Sequence, residues 1–307
     1  MAAVPARKGK AMGAGPGRDI LVLLAARPRL LEGPMGTMLA QRGVAAKNSG
    51  ERNLTHPGIV AEVHREYLVA GAEVFESNSF AANRHMLERA GLGDRVREIQ
   101  AAAVRVLREA VGPDYPIAAN VGPTGAVLEP YGDLPRDEAV AIFREQVANQ
   151  LPEGPDFILF ETFEDLGELE AGIAGARQAG ATIPIFACVS FSSPNGRTSF
   201  GADGARAAER LIELGVEVIG ANCGHLEGTR IGIREMVRVA DRPVMVEPNA
   251  GLPVLVDGET RFLGTPQESA DFAREMLDLG VRLIGGCCGN TPEHIRAMQA
   301  VVQAGGG

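Results

Sequence analysis

Residues 215–224 read Gly215-Val216-Glu217-Val218-Ile219-Gly220-Ala221-Asn222-Cys223-Gly224. A glycine closes a helical pattern, a short β-rich apolar run follows at once, and the run ends on polar residues. Glycine suits the first position because it takes the left-handed conformation that stops a helix and reverses the chain. The same device recurs at Gly71, Gly180 and Gly280. Counting outward from it gives eight strand candidates, at 29–33, 73–80, 116–122, 156–162, 184–191, 217–223, 243–249 and 282–288. Each precedes a helical pattern, at 57–70, 94–111, 136–150, 166–179, 204–214, 229–240, 265–279 and 291–302. In the first helix Ile59, Val60, Val63, Tyr67 and Leu68 share one face and Glu62, Arg65 and Glu66 the other, the pattern of a helix covering a sheet.

Eight βα units with no Gly/Ser/Pro linker between them predict an α/β fold, a single (β/α)₈ TIM barrel over 19–307. A doubly wound open sheet is the alternative, because strand order is not written in one sequence. Residues 1–18 carry Arg7, Lys8, Lys10 and Arg18, no acid, and the run Gly13-Ala14-Gly15-Pro16-Gly17. They lack the apolar segment of a secretory signal and read as a flexible N-terminal tail, with a short organelle-targeting peptide as the alternative. The glycine run follows no strand and contains proline, so it is not a phosphate-binding loop. Gly305 to Gly307 read as a frayed end.

The longest apolar run, Ile20–Ala26, is far below the ~18 to 20 residues of a membrane span, so no membrane association is expected. A net charge of −9 removes the clustered Lys/Arg surface that nucleic-acid binding needs. Four cysteines in 307 residues are too few for a disulfide scaffold, which points to a reducing, cytoplasmic setting.

The strand candidates end on Glu32, Ser77 with Asn78, Asn120, Glu161, Ser190 with Ser192, Asn222 with Cys223, Asn249, and Cys287 with Cys288. In a parallel barrel these ends converge on one mouth, where active sites lie. Any one of them alone reads better as a turn former, but eight in a row fit that reading poorly. Cys188, inside an apolar run, reads as core. Cys223 and the doublet Cys287-Cys288 are different, because glycines flank both segments and let backbone approach whatever the sulfurs hold. Three thiolates with one open position are the donor set of a catalytic zinc site, and soft sulfur argues against magnesium or calcium. Such a site is a poor maker of hydroxide. It suits a fourth thiolate, deprotonated yet nucleophilic, and so points to thiol alkylation.

The segments Glu32-Gly33-Pro34-Met35-Gly36-Thr37-Met38, Glu76-Ser77-Asn78-Ser79-Phe80, Gly220-Ala221-Asn222-Cys223, Pro248-Asn249-Ala250-Gly251-Leu252-Pro253 and Gly285-Gly286-Cys287-Cys288-Gly289-Asn290-Thr291-Pro292 resemble the homocysteine S-methyltransferase family over residues 20–303. The Pro248 segment, with 193–201, is most similar to the homocysteine domain of cobalamin-dependent methionine synthase. The resemblance implies an enzyme that methylates the zinc-bound homocysteine thiolate to methionine. It implies Zn²⁺ on Cys223, Cys287 and Cys288, the substrate ammonium on Glu161, and the amino-acid backbone at Glu32 and Gly33, with Asn222 supporting the site. The chain departs from the family at Glu32, where Asp is usual, and at Gly289-Asn290, where Gly-Thr is usual. The implied methyl donor is methylcobalamin or a corrinoid protein, or else S-methylmethionine or S-adenosylmethionine. Two further readings stay open: a zinc-binding acceptor subunit of a multi-component corrinoid methyltransferase, and methylation of another small thiol.

Other residues receive structural readings. His225 lies two residues past Cys223, but side chains diverge beyond a strand end; His294 is expected to be solvated, and His56, His64 and His85 carry no functional reading. Asp133, Asp137, Glu138, Glu164, Asp165, Glu168 and Glu170 sit where helices begin and favour the helix dipole. Phe80 and Tyr131 are candidates for lining the mouth.

Overall fold

The structure, a computed structural model, describes residues 18–256 and 259–304. The readings made for 1–17 and 305–307 lie outside the described residues. Eight parallel strands form one sheet: β1 (Arg29–Leu30), β2 (Phe75–Glu76), β3 (Ile117–Val121), β4 (Phe157–Phe163), β5 (Ile185–Val189), β6 (Val218–Asn222), β7 (Val244–Glu247) and β10 (Leu283–Ile284). Between β7 and the next helix the chain inserts an antiparallel hairpin, β8 (Pro253–Val256) and β9 (Glu259–Phe262). Around the sheet run α1 (Ile20–Ala26), α2 (Met35–Gln41), α3 (Arg52–Thr55), α4 (Pro57–Ala70), α5 (Arg84–Arg89), α6 (Val96–Val111), α7 (Arg136–Gln150), α8 (Leu166–Gln178), α9 (Gly204–Glu213), α10 (Leu226–Val239), α11 (Pro266–Asp278) and α12 (Pro292–Ala304).

Closure decides between the two expected architectures. Each strand pairs in register with its chain neighbour from β2 to β7, β7 pairs with β10, and β10 with β1. A parallel bridge between Leu31 and Val74 then joins β1 to β2. It is held by Glu32 N–H to the Val74 carbonyl at 3.0 Å and Val74 N–H to the Leu30 carbonyl at 3.1 Å. With no edge left, the sheet is a (β/α)₈ barrel. Gly71, Gly180, Gly215 and Gly280 all adopt positive φ, as their place at helix ends requires.

Period-two alternation sorts the strands into two cores. Ile117, Ala119, Ile158, Phe160, Ala187, Ile219 and Val246 face outward and pack under the helices. Ala118, Phe157, Leu159, Phe186, Cys188, Val218, Met245 and Leu283 face inward and fill the barrel, with Phe157 and Phe186 ring centroids 4.4 Å apart. Ile20 and Leu24 of α1 join this interior cluster, so α1 plugs the amino-terminal end. Asp19 caps α1 by accepting from the Leu21 and Val22 amides. Cys188 is fully buried among these side chains, in agreement with its reading as core. No helix of the described residues is long and apolar enough to cross a membrane.

The observed β1, β2 and β10 are two residues each, shorter than the sequence pattern predicts. After β10 the amides of Gly285 and Gly286 still reach the Val246 and Glu32 carbonyls, at 3.0 and 3.3 Å, before the chain turns into the cysteine doublet. The α1 plug and the β8–β9 hairpin are absent from the sequence reading. In α1 all seven residues are apolar, so no polar position marks a helical period.

Candidate active site at the mouth of the barrel

Cys223 follows β6, and Cys287 with Cys288 follows β10; the strand between them is β7. The segment leaving β7 stitches the two sides together. Cys223 N–H donates to the Glu247 carbonyl at 2.9 Å, Cys287 N–H to the Pro248 carbonyl at 2.9 Å, and Ala250 N–H to the Cys288 carbonyl at 2.9 Å. Asn290 Nδ2 lies 2.8 Å from the Pro248 carbonyl and 2.9 Å from that of Cys287, bracing the doublet from below. A Cβ at Gly286 would come within 2.7 Å of the Asn290 side chain, which is why glycine precedes the doublet. Cys223 has φ of 56° without being glycine, a conformation that persists only where surrounding contacts enforce it.

The result is three free thiols whose Sγ atoms all lie within 4.8 Å of one another. Hydrogen bonds from Cys287 and Cys288 pull the Cys223 thiol down to about 3. Its two partners are pushed up in consequence, Cys288 to about 12. Three soft donors around a common point, one already anionic, fit a thiophilic cation such as zinc. His225 is not among them: it precedes α10, where its Nδ1 accepts from Gly228 N–H at 3.4 Å, so α10 begins earlier than its apolar period predicts.

Facing the sulfurs is a group of carboxylates. Glu161, at the end of β4, accepts from Asn120 Nδ2 at 2.5 Å and Asn222 Nδ2 at 3.1 Å. Asn222 is fixed in turn by accepting from Thr162 N–H at 2.7 Å and donating to Thr162 Oγ1 at 2.9 Å. Glu76 of β2 and Glu247 of β7 bring carboxylate oxygens within 4.8 Å of those of Glu161. Burial pushes Glu161 up to about 7, and burial with the neighbouring acids pushes Glu76 and Glu247 up as well.

Glu32 and Gly33 close the third side. Burial raises the Glu32 pKa against the opposing pull of His64. Both Glu32 oxygens meet His64 Nδ1, at 2.9 and 3.0 Å, and one accepts Glu76 N–H at 2.9 Å. The carboxylate is therefore engaged within the protein, and it is the backbone of the following turn that faces the cavity. Gly33 is obligatory there: a Cβ would lie 2.7 Å from the Tyr67 ring. The Tyr67 hydroxyl is 3.2 Å from the carbonyls of Pro34 and Asn290, binding the first turn to the cysteine turn.

Cysteines, Glu32, Gly33, Glu76, Glu161, Asn222, Glu247 and Phe80 line one cavity of about 300 Å³. Tyr131 does not; it is 80% exposed and packs on Phe200 in a separate outer cleft. Asn120 and Ser77 line the cavity too; Asn120 also donates to Glu161, and Ser77 holds Ser79 and the Asn120 amide. Asp165 caps α8 through Gly167 N–H and Asp137 and Glu138 lie in the first turn of α7, as read, whereas Glu168 is buried and accepts from the Thr124 amide and hydroxyl and Glu170 pairs with Arg210. His294 corrects the expectation of solvation, being 8% exposed with Nε2 donating to the Gly264 carbonyl at 2.9 Å. Sequence reasoning missed Glu76, Glu247 and His64. The first two had a signal: continuing the inward alternation Val74, Glu76 and Met245, Glu247 places an acid at the top of each strand.

Residues 29–302 match the homocysteine S-methyltransferase family. The chain is 34% identical over 305 residues to methionine synthase of Mycobacterium leprae and 35% identical to that of Mycobacterium tuberculosis, covering 92% of this chain in each case. It spans about a quarter of the length of these relatives, 25% of each. Among solved structures, the homocysteine methyltransferase MmuM from Escherichia coli in its metallated form has a similar fold, with a TM-score of 0.77 and 24% identity over 92% of this chain and 99% of that one. Its oxidized form gives a TM-score of 0.75 at 26% identity over 91% and 99%.

Proposed function

This chain belongs to the homocysteine S-methyltransferase family; we propose that it is a methyltransferase with a homocysteine acceptor, that it works with zinc held by Cys223, Cys287 and Cys288, and that it yields methionine. The observation that carries the reading is the pairing, across one cavity of about 300 Å³, of three clustered free thiols with a buried acid group around Glu161. Zinc bound by thiolates supplies the means to take the proton from a substrate thiol while leaving its sulfur nucleophilic at neutral pH.

The remaining work falls to the chain's own residues. Glu161, fixed by Asn120 and Asn222, receives the substrate ammonium. Backbone amides of the turn after Glu32 receive the carboxylate, with Gly33 held against Tyr67. The sulfur is thereby directed at the cysteines, and the methyl group enters from the open mouth. No residue is needed as general base in this scheme, and nothing at the mouth is assigned to one.

Two donor classes suit this arrangement: methylcobalamin, free or on a corrinoid protein, and the sulfonium compounds S-methylmethionine and S-adenosylmethionine. The length of the curated relatives, about four times the part matched here, favours a reading in which the barrel is the zinc-binding acceptor unit of a larger methyltransferase. Methionine formation followed by mass spectrometry, with zinc-loaded protein, homocysteine and each donor in parallel, tests activity and assigns the donor. Cys287→Ser is expected to lose zinc and turnover together. A zinc-free variant that remained fully active would overturn the mechanism.

A further inference from the structure

Three buried acceptors at the acid group have no donor. Glu76 Oε2, Glu247 Oε1 and Asn120 Oδ1 are shielded from solvent and meet no N–H or hydroxyl of the protein. Glu247 is 1% exposed and Asn120 3%, and Asn120 is tied to the group because its Nδ2 donates to Glu161. Buried polar atoms are normally paired, so unpaired ones concentrated at one point call for a partner supplied from outside. All three are acceptors, which sets the chemistry of that partner: it must bring hydrogens. A thiol, a carboxylate or a thioether brings none or one. A primary ammonium brings three, on one atom and with positive charge.

The carboxylates themselves come from β2, β4 and β7, from separate parts of the barrel wall, with oxygens all within 4.8 Å of one another. Resting on the functional reading above, we propose that Glu76 and Glu247 complete with Glu161 a three-pointed seat for the substrate ammonium, so that the enzyme accepts only thiols bearing an unsubstituted primary amine. One N–H goes to Glu76 Oε2, one to Glu247 Oε1, and the third to Glu161 together with the Asn120 Oδ1 tied to it. N-methylation removes one of the three donors and adds a methyl where an acid oxygen lies. Removing the amine leaves Glu76 Oε2, Glu247 Oε1 and Asn120 Oδ1 without a donor.

Binding to zinc-loaded protein, measured by calorimetry, tests this without choosing a methyl donor. The ligands are homocysteine, N-methylhomocysteine and 4-mercaptobutyrate, which lacks the amine. Wild type is expected to bind homocysteine about ten- to a hundredfold more tightly than either analogue, the range for an unpaired buried polar group. Glu247→Gln and, separately, Glu76→Gln should narrow the preference for homocysteine over 4-mercaptobutyrate at least several-fold. Zinc content and affinity for 4-mercaptobutyrate should hold, which a merely unfolded variant would not allow.

Retention of the full preference in both variants would overturn the proposal, as would equal binding of N-methylhomocysteine and homocysteine by wild type. Tight binding of Mg²⁺ or Mn²⁺ to wild type that Glu247→Gln abolished would assign the acids to a metal and overturn it too. Wild type that bound neither homocysteine nor 4-mercaptobutyrate would instead refute the underlying functional reading, and this proposal with it.

Discussion

His64 is carried on α4, outside the barrel wall, and its ring holds both oxygens of Glu32. Both side chains are 1% exposed, so neither can find water if the other is removed. His64→Ala should therefore cost about 3–5 kcal/mol of stability, the penalty of stranding a buried partner. His64→Asn, whose amide nitrogen falls near the lost Nδ1, should recover part of it. Thermal melts of the two variants check the order. Legibility at this scale follows from residue type. A cysteine doublet between glycines is rare enough to be read directly, and Glu161 and Asn222 were reached as strand-end residues. A histidine at an ordinary helix position carries no such mark, because its role is set by a strand 32 residues earlier in the chain.

The end of α1 is held by arginines. Arg27, at the end of α1, and Arg29 of β1 both bind Glu73, and Arg282 donates to the Leu24 carbonyl at 2.7 Å from its Nη2. Burial raises the Glu73 pKa, but hydrogen bonds from Arg27 and Arg29 together outweigh it and leave the carboxyl below its ordinary value of 4.5. A depressed acid contributes stability that is present above the unfolded pKa and lost as pH falls through the folded one. Glu73→Gln is thus expected to destabilise by about 1 kcal/mol or less at pH 7, since the pair is partly exposed, with the gap to wild type closing below pH ~4.5. Melts at pH 7 and at acid pH decide this. The same elements show why some structure escaped the sequence. The eight βα units announce themselves by repetition, whereas α1 occurs once, has two buried residues, and gains its place only by meeting the interior of a barrel already closed. Strand ends were misplaced for a related reason: the alternation that marks a strand continues into irregular backbone at Ser77 and Asn249 after the ladder has stopped.

Across the whole molecule, the candidate metal ligands come from the two strands on either side of β7, and one of those, β10, pairs with β1 where the barrel closes. A cation shared by Cys223, Cys287 and Cys288 would therefore tie the last turn of the barrel to its middle. Binding to the folded chain alone stabilises it by about 2.7 kcal/mol at a hundredfold excess over Kd, so chelation of zinc-loaded protein should lower Tm by roughly 5 °C. Cys188→Ala should leave zinc content unchanged, because that sulfur is core. Calorimetric scans with parallel metal analysis follow both quantities. The barrel as a whole was legible because its rule is repetition. The acid side of the mouth was not, because three residues far apart in sequence become neighbours only when the sheet curls.

Glu247 belongs to both sides of the cavity at once. Its carbonyl takes the amide of Cys223 at 2.9 Å, while its side chain stands among the acids. A substrate reaching from the cysteines to the acid group would thus be laid against a gauge one residue long. Because backbone and side chain of a single amino acid mark its two ends, a shift of β7 carries both ends with it, and the length being measured stays the same.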